Sequence, residues 1–284
     1  MESIFSILKF ASGGNLSALT YGPSLGRHIY RKDLAPVRNP NSEDGYRNVA
    51  ILTTAGQPKQ SLDQKGSPLL PAVFGTLHPS STVTEYLFPP NISQSTLYGR
   101  IGSNACTVIA VLSGFHFVKN RFHVDAAGNL LCEKWCSSLI DAIIEGNRVH
   151  DFVYAGAPIN LDVEDVADTF GADIHVQAVD DTEYFVFNNN YSTQLCDIVR
   201  KKTIAGFPAV GVLIANGKSS CIYIDEQSNF VFTDSHKHRE KSALILTVKK
   251  ADLENFVKEV IKIHQRFFNK ALLYGALTWV HYSI

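Results

Sequence analysis

Three residues have types and spacing that suit covalent chemistry: Cys106, Asp234 and His236. Cys106 lies where a loop meets an apolar run, in Gly99-Arg-Ile-Gly-Ser-Asn-Ala-Cys106-Thr-Val-Ile-Ala-Val-Leu112. From Thr107 the apolar residues come too densely for a surface helix and suit a buried one. Ser103 or Asn104 is the expected N-cap, which puts Cys106 in the first turn. There the helix dipole and the free backbone N–H groups favour a thiolate. The competing reading is that Cys106 is one more small buried apolar residue, the usual fate of a free cysteine.

A second stretch bears on that choice: Asn229-Phe-Val-Phe-Thr-Asp234-Ser-His236-Lys-His238. Phe230 to Phe232 read as a strand, with Asp234 and His236 at or just past its end. Residues two apart in an extended chain point to the same side. Asp234 can therefore accept a hydrogen bond from the His236 imidazole, fix its tautomer and leave the other ring nitrogen to face a thiol. Cys106, His236 and Asp234 together have the chemistry of a nucleophile, its base and the group that orients the base. His238 is the rival base, and the preceding Asp favours His236. An Asp-x-His alone is a weak signal; downstream of a helix-start Cys it is more specific.

On these residues the chain resembles the papain-like cysteine peptidases, and among them the viral tegument-type deubiquitinases and their non-viral relatives. That group carries its nucleophile at the start of a central helix. Its His and Asp come from one Asp-x-His motif, usually Asp-Ser-His on a late strand, and Asp234-Ser235-His236 matches it residue by residue. The group also has a Gln about a dozen positions before the Cys whose side chain completes the oxyanion hole, and Gln94 sits at about that distance. The resemblance runs from about Gln94 to Leu246. It departs from the family where a Gly-x-Gln commonly precedes the Cys, since Ser103-Asn104-Ala105 stands here. The side-chain oxyanion donor is thus either Gln94 or Asn104.

The resemblance implies an α+β, papain-like fold with the nucleophile helix packed on an antiparallel sheet. It also implies hydrolysis of the isopeptide or peptide bond after the C-terminal glycine of ubiquitin, with ubiquitin or polyubiquitin chains as partners and no cofactor. A ubiquitin tail carries arginines, for which Asp162, Glu164, Asp165, Asp168, Asp180, Asp181 and Glu183 are available. Acidic residues at a helix start also have a sufficient structural explanation in the dipole. The residues themselves leave open another papain-like peptidase, an amide transferase, or a catalytically silent binding module.

Composition narrows the field. The 284 residues carry 26 Lys and Arg against 27 Asp and Glu. No basic run exceeds Arg200-Lys-Lys202, which reads as a solvated helix end, so no nucleic-acid partner is expected. The first residues lack a basic segment followed by a long apolar core, and no apolar run is long enough for a bilayer. An intracellular setting, cytoplasmic or nuclear and off the membrane, is expected. Five cysteines do not suggest a disulfide framework, and a thiol nucleophile needs a reducing compartment. Cys132 and Cys136 share a helical face with Leu131, Trp135, Leu139, Ile140 and Ile143 and read as core. Cys196 and Cys221 have no His or acid placed as in a catalytic set. No His/Cys/acid spacing suits zinc, and Gly99 to Gly102 lacks the Lys of a phosphate loop.

Residues 1–90 hold nine of the eleven prolines and read as an extension, either lying along the core or serving as a recognition arm. A short helix over Ser3 to Phe10 and a strand over Val49 to Thr54 are expected there. Pro89-Pro90 marks the boundary, and residues 91–284 form the catalytic domain. Within it Phe115 to Phe122 is strand or loop and Ala126 to Asn129 a turn. Leu130 to Asn147 and Asn160 to Gly171 are helices, the latter capped by Asn160. Strands follow at Ile174–Val179, Tyr184–Phe187, Pro208–Ile214, Cys221–Ile224, Asn229–Thr233 and Leu244–Val248. Ala251 to Phe268 is a helix and Thr278 to Tyr282 a last strand.

Only Cys106 begins a buried helix after a Gly/Ser/Asn loop. Cys106→Ala is expected to abolish turnover and labelling by an electrophilic substrate probe while circular dichroism stays unchanged. An active Cys106→Ala protein overturns the assignment.

Overall fold

The computed structural model of the chain describes residues 70–78, 82–124, 130–155, 157–186, 191–203, 207–238, 242–267 and 274–284. The elements expected over Ser3 to Phe10, Val49 to Thr54 and Ala126 to Asn129 lie outside the described residues. The architecture is α+β, with a central helix packed on an antiparallel sheet.

Among the described residues nine strands make one sheet: β1 (Gly75–Leu77), β2 (Thr84–Leu87), β3 (Val176–Val179), β4 (Glu183–Val186), β5 (Ala209–Ala215), β6 (Lys218–Ile224), β7 (Phe230–Asp234), β8 (Leu244–Val248) and β9 (Tyr274–Tyr282). Their order is β1-β2-β8-β7-β6-β5-β9-β3, with β4 on the other half of β9. Every pairing is antiparallel. The run from β5 to β8 is a meander. Its first hairpin turns at Asn216-Gly217, where both residues have positive φ, as a two-residue turn between twisted strands requires.

Helices cover both faces. On one lie α1 (Cys106–Lys119), α2 (Glu133–Tyr154) and α3 (Val163–Phe170), whose apolar side chains share a core with Val210, Val212, Cys221, Tyr223 and Val231. On the other, α4 (Tyr191–Lys202) and α5 (Leu253–Phe267) pack on Leu213, Ile222, Phe230 and Phe232. β7 is therefore buried along its whole length, on both faces. Each large side chain fully buried this way contributes about 1.5–3 kcal/mol.

Several boundaries differ from the sequence expectation. Helix α1 runs to Lys119, through the segment read as strand or loop. It is buried from Cys106 to Phe115 and again at Phe117, so it shows no amphipathic period to mark its length. Neither Ser103 nor Asn104 is its N-cap: that position is Ala105, and no side chain caps the helix. Helix α3 starts later than expected, because Asp162 rather than Asn160 accepts the Asp165 N–H at 2.7 Å and closes a capping box with the Asp165 side chain. Cys132 is exposed at the N-cap of α2, not in the core with Cys136. Helix α4 was not foreseen, although Arg200, Lys201 and Lys202 do form its last turn.

Pro89-Pro90 is not a break in the fold. β2 pairs with β8 from Thr84↔Thr247 to Leu87↔Leu244, so residues before the prolines belong to the central sheet. Tyr86 and Phe88 are core residues, whereas Phe74 is exposed.

α1 and α2 approach closely at Gly146, where an added Cβ would stand 2.5 Å from Ile109 Cγ1 and 3.1 Å from the Ile109 backbone nitrogen. The backbone contact cannot be relieved by a rotamer change. Gly146→Ala is expected to cost about 1–3 kcal/mol in urea unfolding, the range for overpacking a filled core. Wild-type stability in that variant would show that the α1–α2 contact has slack.

Candidate active site

The chain reverses direction sharply before α1. Tyr98, Gly99 and Gly102 all have positive φ, and the bend is held by Arg100, whose Nη1 and Nη2 donate to the two Asp151 oxygens at 2.6 and 3.1 Å. Asp151 lies on α2, so a bidentate pair anchors the loop to a rigid element. Cys106 is the first residue of α1. Because no side chain caps this helix, its first-turn N–H groups are left for whatever occupies the space beside the sulfur.

β7 delivers the other two residues. Asp234 ends the strand and is fully buried; His236, just beyond, is buried as well. His236 Nδ1 lies 2.6 Å from Asp234 Oδ1, and the His236 backbone N–H donates to the same oxygen at 2.9 Å. With Nδ1 engaged, Nε2 is left for the hydrogen bond His236 makes with Cys106. The rival His238 stands elsewhere, its Nε2 3.4 Å from Asp234 Oδ2. The aspartate thus has a histidine at each oxygen, and His236 is the one that meets the sulfur.

The electrostatics separate Cys106 from the other buried thiols. Burial pushes Cys136 up to about 12 and Cys196 to about 11, and Cys221 well upward. Burial acts on Cys106 too, and is the largest single influence. The hydrogen bond and charge of His236, with hydrogen bonds from Ser219, outweigh it and bring the thiol down to about 7. His236 is opposed by burial in the same way, yet the Asp234 charge and hydrogen bond, then Cys106, raise it to about 9. Burial opposes ionisation of Asp234 as well, but His236 and His238 hold it well below the usual carboxylate range. Between about pH 7 and 9 these shifts favour a thiolate beside an imidazolium. Behind it His264 of α5 is held neutral, pushed down to about 4 chiefly by burial, with its Nε2 3.3 Å from Ser220 Oγ.

Gln94 is brought to the same place. Its backbone N–H donates to the Ser235 carbonyl at 2.8 Å, and Ser235 Oγ donates to Gln94 Oε1 at 2.7 Å. Gln94 Nε2 donates to the Ser103 carbonyl at 3.3 Å, so the amide N–H side is turned toward the loop that precedes Cys106. Ser103 Oγ accepts the Ala105 N–H at 3.1 Å and donates to Asn147 Oδ1 at 2.6 Å; Asn147 Nδ2 donates to the Gln94 carbonyl at 3.0 Å. Asn104 is half-buried beside Ala105 and takes no part in this ring.

Of the acidic residues noted in the sequence, Asp162 and Asp165 form the capping box. Asp180 is engaged by Lys202 and His281. Sequence reasoning gave no role to Thr107, Asn147 and Ser219, and it missed the contacts that Ser103 and Ser235 make across the chain. Among the described residues no cluster of His, Cys, Asp and Glu is able to hold a metal ion, and no helix is long and apolar enough to cross a membrane.

No family model and no curated protein matches the sequence. Among solved structures the chain is similar to the ubiquitin-specific protease encoded by a murine cytomegalovirus tegument protein, crystallised with a ubiquitin-based suicide substrate. The identity is 12%, over 69% of this chain and 86% of that one, with a TM-score of 0.44. It is also similar to the Pseudomonas avirulence protein AvrPphB, at 14% identity over 63% of this chain and 95% of that one, with a TM-score of 0.39.

The two shifted groups set a pH window. Turnover is expected to rise as the thiol ionises near pH 7 and to fall as the imidazolium loses its proton near pH 9. Asp234→Asn removes the charge that raises His236, so the upper limb should move toward lower pH and kcat should drop by about 10⁴-fold. An upper limb that stays in place in Asp234→Asn removes Asp234 from this role.

Proposed function

We propose that this chain is a papain-like cysteine peptidase that cleaves the isopeptide or peptide bond after the C-terminal glycine of ubiquitin. The observation that carries the peptidase reading is the line from Asp234 through His236 to a thiol depressed against burial at the open end of a buried helix. The ubiquitin reading rests on the Asp234-Ser235-His236 motif with Gln94 upstream, the residues through which the chain resembles the tegument-type deubiquitinases.

In the proposed reaction the Cys106 thiolate attacks the glycine carbonyl. The Cys106 backbone N–H and the Gln94 amide receive the oxyanion. His236 gives its proton to the leaving amine, a thioester remains on Cys106, and His236 then activates the water that releases it. Asp234 holds the imidazole in one tautomer throughout and supports its positive charge. Gln94 is preferred over Asn104 as the side-chain donor because two hydrogen bonds to Ser235 fix it in place. No cofactor enters these steps, and the free thiols of the chain suit an intracellular, reducing setting.

A ubiquitin probe with an electrophilic C-terminus is expected to label Cys106, and Gln94→Ala should lower kcat by roughly 10²–10³-fold, with a lower melting temperature as well because Ser235 Oγ and the Ser103 carbonyl lose their partner. A protein that cleaves unrelated peptides but ignores the probe is a general peptidase or amide transferase. One that binds ubiquitin without forming the adduct is a silent binding module. If Asn104→Ala rather than Gln94→Ala loses kcat, the oxyanion role passes to Asn104.

A further inference from the structure

The sulfur of Cys106 has a second polar neighbour besides His236. Ser219, the second residue of β6, is buried on the α1 side of the sheet, and its Oγ lies 3.6 Å from Cys106 Sγ. The same Oγ is 2.8 Å from Thr107 Oγ1, which in turn lies 2.6 Å from the Leu161 carbonyl oxygen just ahead of α3.

Each hydroxyl has one hydrogen to give, and a carbonyl has none. The Thr107 hydrogen is therefore on the Leu161 carbonyl, and Thr107 offers Ser219 only lone pairs. Ser219 has two acceptors for its single hydrogen: Thr107 Oγ1 and the sulfur. When the sulfur is a thiol, S–H donates to Ser219 Oγ and the serine hydrogen rests on Thr107. When the sulfur is a thiolate, a serine still turned to Thr107 would aim lone pairs at a buried negative charge. Rotating about its Cβ–Oγ bond replaces that repulsion with a charge-assisted hydrogen bond, and leaves Thr107 short of one donor at an oxygen already serving Leu161.

We propose that Ser219 is a further catalytic residue, a two-position hydroxyl that follows the charge on Cys106. It turns to the sulfur while that atom is a thiolate and returns to Thr107 when the sulfur is neutral, as thiol or thioester. Thr107 is the positioning residue that sets the balance. The titratable group facing the sulfur is His236, past the end of β7, with Asp234 behind it. Among the described residues β6 presents Ser219 there, and α3 acts through the Leu161 carbonyl and Thr107. The proposal rests on the functional reading above only in taking Cys106 as the nucleophile.

The two hydroxyls must act in opposite directions, which a merely structural role would not produce. The pH dependence of iodoacetamide alkylation, followed by mass spectrometry on the Cys106 peptide, measures this without any protein substrate. Ser219→Ala should move the midpoint up, lowering the thiolate fraction below the wild-type midpoint about fivefold, the size of one hydrogen bond. Thr107→Val, or Thr107→Ala if the valine variant does not fold, removes the competing acceptor and should move the midpoint down. Thr107→Ser should restore it. Midpoints that move up in both the Ser219 and the Thr107 variants, or in neither, overturn the proposal. Because the reagent is a small alkylator, failure here leaves the ubiquitin reading standing, and failure of the ubiquitin probe leaves this result standing.

Discussion

Two hydrogen bonds in opposite sense join Gln94 to Ser235, backbone N–H to carbonyl and hydroxyl to amide oxygen. Ser235 is the residue between the aspartate and the histidine, so this clasp fixes the end of β7 against the segment leading to α1. The ring through Ser103 and Asn147 extends it to the loop before α1 and to α2. Three parts of the chain that are far apart in sequence thereby share one polar network. Such a network rigidifies when all its members are satisfied and is costly when one is lost. Ser235 therefore does more than space Asp234 from His236: its side chain holds the Gln94 amide in place.

The protonation states follow from the same closeness. Burial alone drives a thiol toward neutrality, as Cys136, Cys196 and Cys221 demonstrate within one molecule. Cys106 differs from them by its neighbours, not by its exposure. A thiolate beside an imidazolium is two charges taken out of water, which costs several kcal/mol per ion unless each is hydrogen-bonded. Asp234 supplies the third charge that makes the arrangement tolerable, and its two oxygens are met by His236 and His238. His264, close enough to feel the same charges, stays neutral because desolvation outweighs its attraction to Asp234.

The candidate site was legible in the sequence where its residues are local. Asp234 and His236 are two apart on a strand, and Cys106 opens a run too apolar to be anything but a buried element. Element limits were harder to read where packing on every side erases periodicity. Phe115, His116 and Phe117 suit a strand by composition, yet they continue α1 because α2 and the sheet enclose that helix. At α3 several polar residues stood within reach of the cap, and only geometry chooses Asp162. The prolines around β1 and β2 masked both strands, and the pairing of β2 with β8 across some 160 residues leaves no local trace. Asn147 and Ser219, and the contact of Ser235 with Gln94, were invisible for the same reason: each is an ordinary polar residue until the fold gives it a partner.

The placement of β7 explains how the site withstands its own cost. The strand is central, flanked by β6 and β8, and its side chains alternate between two cores. Phe230 and Phe232 face α5, where Phe230 stacks on Phe256 and Phe232 meets His264 edge-on; Val231 faces the α1 side. A one-residue slip would exchange these two sets and break the register with both neighbours. The position of Asp234 is thus set by apolar packing upstream of it, not by the ion pair it makes. Cys106 is fixed in the same way by the buried length of α1. The charged groups then meet at the ends of two elements that are already immobile, so holding them together costs little further conformational entropy.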